Sequence, residues 1–466
     1  MSGVLKRFGR SMAISLSLAF GGCATVEPKP DYGRAVSLIA RATGSAHVYR
    51  PGDDAIVDAK VRSLLEGGLT ADEAVEVALL NNPRLQASFL RIGMARADVV
   101  QSRLLSNPSL GVSTRFPSGG GLTNIEAGIA RNIVDLWRIP TRHKIARREL
   151  TQVIFTIAHD AAQLATDAKA AYFRAIAAAR LLAISRQDRQ AAERLLRLTE
   201  TLRDAGAVSG VDVDLTRSEL QSVELLVRVA RQNAFEARSK LMRTLGLPLA
   251  QFDTELVDEL PTARPPAVSL ERLLQVAAEN RFDLSAARNL LQTLAAKLDL
   301  QEQSLFRVVE LGVAYEREAR DGGSVFGPTL SIELPIFDQN QAQIARAGYA
   351  QAEAVKRLRS MVVDVAHDVR LAHELTRAVW DTAHFYESEL LPLKESSLDL
   401  AREAYRAGKI PLVSVLQAQR ALRDAHAGRV EILRDGALAR IELERATACP
   451  EDQFATRQEP KQNNDD

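Results

Sequence analysis

The patterns in this chain run through once in a fixed order and then run through again. Leu69-Thr-Ala-Asp-Glu-Ala-Val-Glu-Val-Ala-Leu-Leu-Asn-Asn-Pro-Arg-Leu85 is matched about two hundred residues later by Val268-Ser-Leu-Glu-Arg-Leu-Leu-Gln-Val-Ala-Ala-Glu-Asn-Arg-Phe-Asp-Leu284. After each come a helical stretch, two alternating strands, a very long helix, a glycine-marked turn and a final helix. The turns read Ala205-Gly206-Ala207-Val208 and Ala407-Gly408-Lys409-Ile410. An internal duplication at this scale constrains the architecture more than any single residue does. It implies a tubular, symmetric assembly rather than a catalytic pocket.

Composition agrees with long helices, since aromatics make up only 5% of the 466 residues while alanine, leucine and arginine abound. A net charge of +1 gives no basic surface for nucleic acid. The two cysteines, Cys23 and Cys449, leave no disulfide framework if the first is modified.

The N-terminus reads as a targeting segment. Lys6, Arg7 and Arg10 precede an apolar run, Met12 to Phe20, that is too short to span a bilayer. Gly21-Gly22-Cys23 then resembles a bacterial lipobox, with residues 1–22 as signal peptide and Cys23 as the acylated first residue of the mature chain. Ala24 after that cysteine directs such lipoproteins to the outer membrane, by resemblance to their sorting rules. A plain secretory signal is the alternative. Residues 23–64, with Pro28, Pro30, Pro51 and Gly52, read as a mostly extended linker from the anchor.

Two segments change period from 3.6 to 2. Leu110, Val112, Thr114 and Phe116 alternate with polar or small residues, as do Ile125, Ala127, Ile129 and Ile133 after a Pro117–Gly121 tip. The later copy alternates through Val309, Leu311, Val313 and Tyr315. Beyond Asp321–Ser324 it continues through Phe326, Leu330, Ile332, Leu334 and Ile336. Such strands suit an outer-membrane barrel, although one hairpin by itself fits a soluble, half-buried sheet equally well. Four strands cannot close a barrel, because single-chain barrels begin at about eight strands. If these strands span lipid, a trimer contributing twelve would close.

Residues 141–205 and 341–407 predict helices of about 95–100 Å at ~1.5 Å per residue, with shorter return helices over 212–246 and 412–447. Asn81-Asn82-Pro83 should break the helix over 70–105. Pro248, Pro261, Pro265 and Pro266 mark the junction between the copies. The divisions expected are therefore 65–260 for the first repeat, 261–449 for the second and 450–466 for a polar, disordered tail.

The lipobox, the doubled order of elements and the segments Arg131-Asn-Ile-Val-Asp135 and Leu334-Pro-Ile-Phe-Asp338 resemble the outer-membrane efflux channel family typified by TolC. So does Tyr405-Arg-Ala-Gly408 followed by Val415-Leu-Gln-Ala-Gln419. The resemblance covers roughly 65–447. It implies a mainly helical homotrimer with a twelve-stranded barrel in the outer membrane and long helical hairpins forming a periplasmic tunnel. The partners implied are a periplasmic adaptor and an inner-membrane pump, often of the resistance-nodulation-division type. No chemistry is implied in this subunit, and neither a cofactor nor a metal site is expected in it.

The same resemblance places adaptor docking at the tips, around Ala205, Gly206, Ala207 and Val208 and around Tyr405, Gly408, Lys409 and Ile410. Positive φ at Gly206 and Gly408 is what a reversal between helices requires. Family members close the periplasmic end with acidic residues after the second tip, but the positions here are Ser414 and Gln417. The first copy carries Asp212 and Asp214 instead. These either form a ring of carboxylates or, for Asp212, cap the return helix. If the apolar strand residues face lipid, Arg115, Glu126, Glu310, Glu316 and Glu333 face the lumen. Those acids either favour cations or simply hydrate the pore.

The function expected is a passive exit duct of a tripartite efflux system, carrying heavy-metal cations or drugs. The rivals are a type I protein-secretion duct and a lipid-tethered periplasmic coiled-coil adaptor. An enzyme has no support in the motifs.

Overall fold

The computed structural model describes residues 25–116, 123–317 and 323–454. In chain order the first half forms α1 (Lys29–Thr43), α2 (Asp54–Leu65), α3 (Ala71–Asn81), α4 (Pro83–Gln101), β1 (Ser109–Arg115), β2 (Asn124–Asn132), α5 (Asp135–Asp204) and α6 (Gly210–Leu245). The second half forms α7 (Leu270–Asn280), α8 (Phe282–Glu302), β3 (Val309–Arg317), β4 (Ser324–Ile332), α9 (Gln341–Phe385), α10 (Leu391–Arg406) and α11 (Leu412–Thr447). The protein is mainly helical, and from α3 onward one order of elements occurs in each half. Two compact units cut across that order. One holds Leu90–Ile154 and Ala286–Leu358, with the described residues up to Tyr32; the other holds Gly33–Phe89, Phe155–Ser285 and the described residues from Arg359. Each draws on both halves, so the divisions 65–260 and 261–449 do not coincide with compact bodies.

In the first unit the strands form one antiparallel sheet, ordered β1–β2–β3–β4. Its register pairs Leu110 with Ile129, Val112 with Ala127, Ala127 with Tyr315, Leu311 with Leu330 and Tyr315 with Phe326. Since successive side chains alternate between faces, these residues share one face. None of the described residues covers it: Leu110 is 70% exposed, Val112 65%, Phe326 71% and Leu330 63%. Gly312 lets the centre of the sheet close, because a Cβ there would lie 2.5 Å from the Ile129 carbonyl oxygen. β4 stops at Ile332, so Leu334 and Ile336 do not continue its apolar face as the alternation predicts. Pro335 has no N–H to offer a neighbouring strand, and the Ile336 N–H turns back onto the Leu334 carbonyl at 2.9 Å. The Pro117–Gly121 tip lies outside the described residues, as do Asp321 and Gly322 of the second tip.

In the second unit one junction is built twice. Asn82 caps α4, its Oδ1 accepting from the Arg84 and Leu85 N–H groups, and its Nδ2 reaches the Thr244 carbonyl at the end of α6 at 2.9 Å. At the matching place Arg281 pairs with Asp283 at 2.7 Å and reaches the Ala446 carbonyl at the end of α11 at 3.4 Å. An amide and a guanidinium thus do the same work, satisfying carbonyls that a helix end leaves without partners. The segment after α6 is fastened to the first half. Leu69 and Leu256 form a parallel bridge, Asp258 accepts the Ala71 N–H at 2.7 Å, and the buried Tyr172 hydroxyl donates to the Leu69 carbonyl at 2.6 Å.

Several expectations need correction. Residues 23–64 are not an extended linker where they are described. α1 buries Tyr32, Ala35, Val36 and Ile39, and α2 buries Val57, Val61 and Leu64, both at helical spacing. Pro30 falls in the first turn of α1, where its missing N–H costs no ladder bond. The tail is not wholly disordered either: Glu451–Gln453 form a 3-10 turn, Glu451 pairs with Arg440, and Phe454 is 1% exposed. α5 begins at Asp135 rather than at 141 and takes in Pro140 near its start. The second long helix is interrupted by a π turn, Tyr386–Leu390. Pro392 explains it, since a proline lacks the ladder N–H and its ring clashes with the carbonyl four residues earlier, here that of Ser388.

Candidate functional site: the hairpin tips

Both helical hairpins reverse through the same backbone turn. Gly206 has φ +73° and Gly408 φ +70°. The Ala207 N–H donates to the Leu202 carbonyl at 2.8 Å, and the Lys409 N–H to the Ala404 carbonyl at 2.9 Å. A second bond at each tip runs from the glycine N–H, to Arg203 at 2.8 Å and to Tyr405 at 2.9 Å. These pairs satisfy the last carbonyls of α5 and α10. Ala205, Gly206 and Ala207 are exposed, as are Gly408 and Lys409, while Val208, Tyr405 and Ile410 are half-buried.

The chemistry that starts the return helix differs between the tips. Ser209, not Asp212, is the N-cap of α6. Its Oγ accepts the Asp212 N–H at 3.3 Å, and Asp212 Oδ2 accepts from the Ser209 N–H at 3.0 Å. Asp212 is the third residue of a reciprocal capping box. Asp214 is 78% exposed on its side chain and meets Arg217 at 3.4 Å, which also reaches Glu200 at 3.3 Å. At the second tip Pro411 precedes α11 without any side-chain cap. There Leu398, Leu412, Val415 and Leu416 form a buried apolar cluster, joined by Tyr405, Ile410 and Leu422 and, from the first hairpin, by Leu195 and Leu215.

Ser414 is half-buried and Gln417 exposed on the first turns of α11. Among the described residues no hydrogen bond or ion pair joins either of them to Asp212 or Asp214. The polar link between the hairpins lies farther along, where Glu219 of α6 meets Arg420 and, at 2.9 Å, Arg423 of α11. Glu219 is 6% exposed. Burial alone would raise its carboxyl, but hydrogen bonds from the two guanidiniums and their charge hold it below the usual glutamate range. This link was not among the predicted site residues. Its signal in the sequence is a glutamate at a core position of the buried stripe Val213, Thr216, Glu219, Val223, Val227. A charge there needs a partner.

The sheet's polar face gathers the other predicted site residues. Glu126 lies opposite Glu316 and Glu310 opposite Ser331. Arg115 reaches Glu126 at 3.4 Å. Glu333 lies just past β4 on the same parity, its N–H donating to the Val308 carbonyl at 3.1 Å. Residues 1–22 and Cys23 lie outside the described residues. No described helix is long and apolar enough to cross a membrane, and no group of metal-ligating side chains is assembled among the described residues.

A family model for outer membrane efflux proteins matches residues 273–448. The cobalt-zinc-cadmium resistance protein CzcC of Cupriavidus metallidurans is 25% identical over 370 residues, 77% of this chain and 85% of that protein. Outer membrane protein OprJ of Pseudomonas aeruginosa is 26% identical over 460 residues, 89% of this chain and 90% of that one. The crystal structure of CusC superposes with a TM-score of 0.69 at 18% identity, covering 82% of this chain and 92% of that chain. At that identity the likeness is one of fold.

Proposed function

Since the chain belongs to the outer membrane efflux protein family and resides in the outer membrane, we propose that three copies of it form the exit duct of a tripartite efflux system. Members of this family are channels rather than enzymes. The observation that carries the reading is the sheet: four strands, one face apolar and uncovered, with no described strand beyond β1 or β4. In water such a face and two open edges would aggregate. In lipid the face is solvated, but open edges are forbidden because their backbone groups find no partner. Joining β1 of one copy to β4 of the next removes every edge, and three copies give twelve strands, within the range that closes a barrel.

Cargo would pass through the common lumen, delivered by an inner-membrane pump through a periplasmic adaptor seated on the two tips. Glu126, Glu310, Glu316 and Glu333, together with Arg115, would line the barrel and favour cations. Similarity to a cobalt-zinc-cadmium resistance protein supports heavy-metal cations as the first candidate cargo, with organic drugs next.

The test is conductance of the full-length protein in a planar bilayer. Discrete channels with a cation-selective reversal potential are expected from trimeric material. Absence of conductance, or a protein that stays monomeric and soluble without detergent, overturns the proposal. An anion-selective reversal potential removes the lumen assignment alone.

A further inference from the structure

A crevice of about 660 Å³ opens between α5, α6 and α11, away from the tips. That volume is in the range of sites for drug-sized molecules, ~300–1,000 Å³. One wall is apolar: Leu181 and Ile184 of α5 face Leu226 and Val229 of α6, with alanines between them. Leu226 is 43% exposed and Val229 47%, so a solute can reach this wall from outside the protomer.

The other wall is charged, and its charges do not cancel. Around Asp188 stand the carboxylates of Asp424 and Glu219, the guanidinium of Arg423 and His426, and Arg420 joins the group through its ion pair with Glu219. Both arginines are engaged by Glu219. Three carboxylates against two guanidiniums leave one negative charge over. It falls to Asp188, whose Oδ2 is buried and accepts no hydrogen bond. Farther along the crevice Arg174 and Arg434 balance Glu431 and Asp435. Burial pushes the Asp188 carboxyl up, against the pull of Arg423 and His426. A buried, unpartnered carboxylate is costly, and a bound cation would relieve the cost.

We propose that this crevice is a binding site for an organic cation with an apolar body, its charged group seated against Asp188 and its body along Leu181, Ile184, Leu226 and Val229. A bare metal ion fits less well. Hard cations need several oxygen ligands, and no group of three or more metal-ligating side chains is assembled among the described residues. The apolar wall would leave such an ion poorly solvated, whereas an aromatic or alkyl ammonium matches both walls at once. The site does not depend on the exit-duct reading, since binding is measured without any flow through the pore.

The experiment uses the full-length chain in lipid nanodiscs, titrated with ethidium and followed by fluorescence, with empty nanodiscs as blank. Saturable binding is expected, weakened at least about tenfold by Asp188→Asn, which keeps the shape and removes the charge. Val229→Trp, an exposed position that fills the crevice, should weaken it as well and keeps the test decisive if the first variant folds poorly. An anionic dye of similar size should not compete. Ethidium binding unchanged in both variants overturns the proposal, as does equal binding of the anionic dye. So does the lack of any saturable binding, the result expected if a neighbouring copy fills the crevice. Conductance that persists in Asp188→Asn shows that the channel reading stands whichever way this one falls.

Discussion

The two hairpin tips share a backbone turn and differ in how the return helix begins. At the first, hydrogen bonds start that helix: Ser209 and Asp212 satisfy each other's N–H groups in the capping box. At the second, no side chain caps α11, and the helix is held instead by Leu398, Leu412, Val415 and Leu416 packed against Tyr405 and Ile410. The contrast separates two jobs that a helix start performs. Freed N–H groups must find acceptors, and the helix must be held in place. The first tip does the former locally, with an exposed polar device worth about 1 kcal/mol. The second has no side-chain cap and is held by burial, a larger contribution. A duct that must open at this end would then have one tip governed by charge and one governed by packing.

The widest gap between the tips should appear on removing the packing. Leu416 is 3% exposed, and truncating a buried leucine costs about 2–5 kcal/mol. Leu416→Ala should therefore speed hydrogen exchange of the first turns of α11 by about 30-fold or more, with a smaller change at the start of α6, which meets the cluster through Leu215. Equal acceleration at both tips would mean that the cluster holds both hairpins and that the contrast is false. Next comes the link between them. Glu219→Gln takes from Arg420 and Arg423 the buried carboxylate they share and leaves Arg423 only the exposed Asp424 at 3.6 Å. Breaking a buried pair costs about 3–5 kcal/mol, but half-exposed Arg420 is screened by water, so about 2 kcal/mol is expected. The pH dependence has a definite sign. The folded-state carboxyl lies below its unfolded value, so this contribution is whole above the ordinary glutamate range and is lost as pH falls through the depressed one. Thermal unfolding of the wild type should weaken across that acid window more than that of Glu219→Gln.

Much of this was legible in the sequence because it rests on period. The alternation through Leu110, Val112 and Thr114 placed β1, and the register put those residues on one face with Ile129 and Ala127, as the alternation required. Gly206 and Gly408 were legible as turns because only glycine takes positive φ without strain. The features that were not legible are local or three-dimensional. Asp212 has the residue type of an N-cap, but Ser209, three residues earlier, holds that position; a serine with aspartate three residues later departs from the familiar box, which ends in glutamate or glutamine. α1 was masked by Pro28 and Pro30, whose turn-forming character outweighs the helical spacing of Tyr32, Ala35, Val36 and Ile39 in a short segment. The pairing of Glu219 with Arg420 and Arg423 spans two hundred residues of chain, and single-sequence reasoning can flag the buried glutamate without naming its partners.

The capping box gives a smaller effect, confined to the first tip. Ser209→Ala removes the acceptor for the Asp212 N–H and the hydroxyl that Asp212 binds at 2.8 Å. About 1 kcal/mol should be lost. That amounts to roughly fivefold faster exchange at the start of α6, measurable beside an unchanged α11. Pro411→Ala is the matched control at the second tip, where there is no side-chain cap to lose. Equal effects from the two would imply that the capping box is not formed in solution.

The finest discrimination comes from the glycines, where the tips should behave alike. Gly206 and Gly408 have nearly the same φ, and at neither would an added Cβ meet anything within 4 Å. An alanine at either place therefore meets no steric clash and bears only the cost of left-handed backbone, about 1 kcal/mol. Gly206→Ala and Gly408→Ala should destabilise their turns equally, within about 0.5 kcal/mol, when exchange is measured on the isolated protein. The value of the pair lies in repeating the measurement of activity in cells. If both tips seat an adaptor, the two variants should impair resistance to a similar degree, because the backbone is distorted similarly in each. A strong loss for one variant alone, with equal stabilities in isolation, would assign docking to that tip and leave the other as a turn and nothing more.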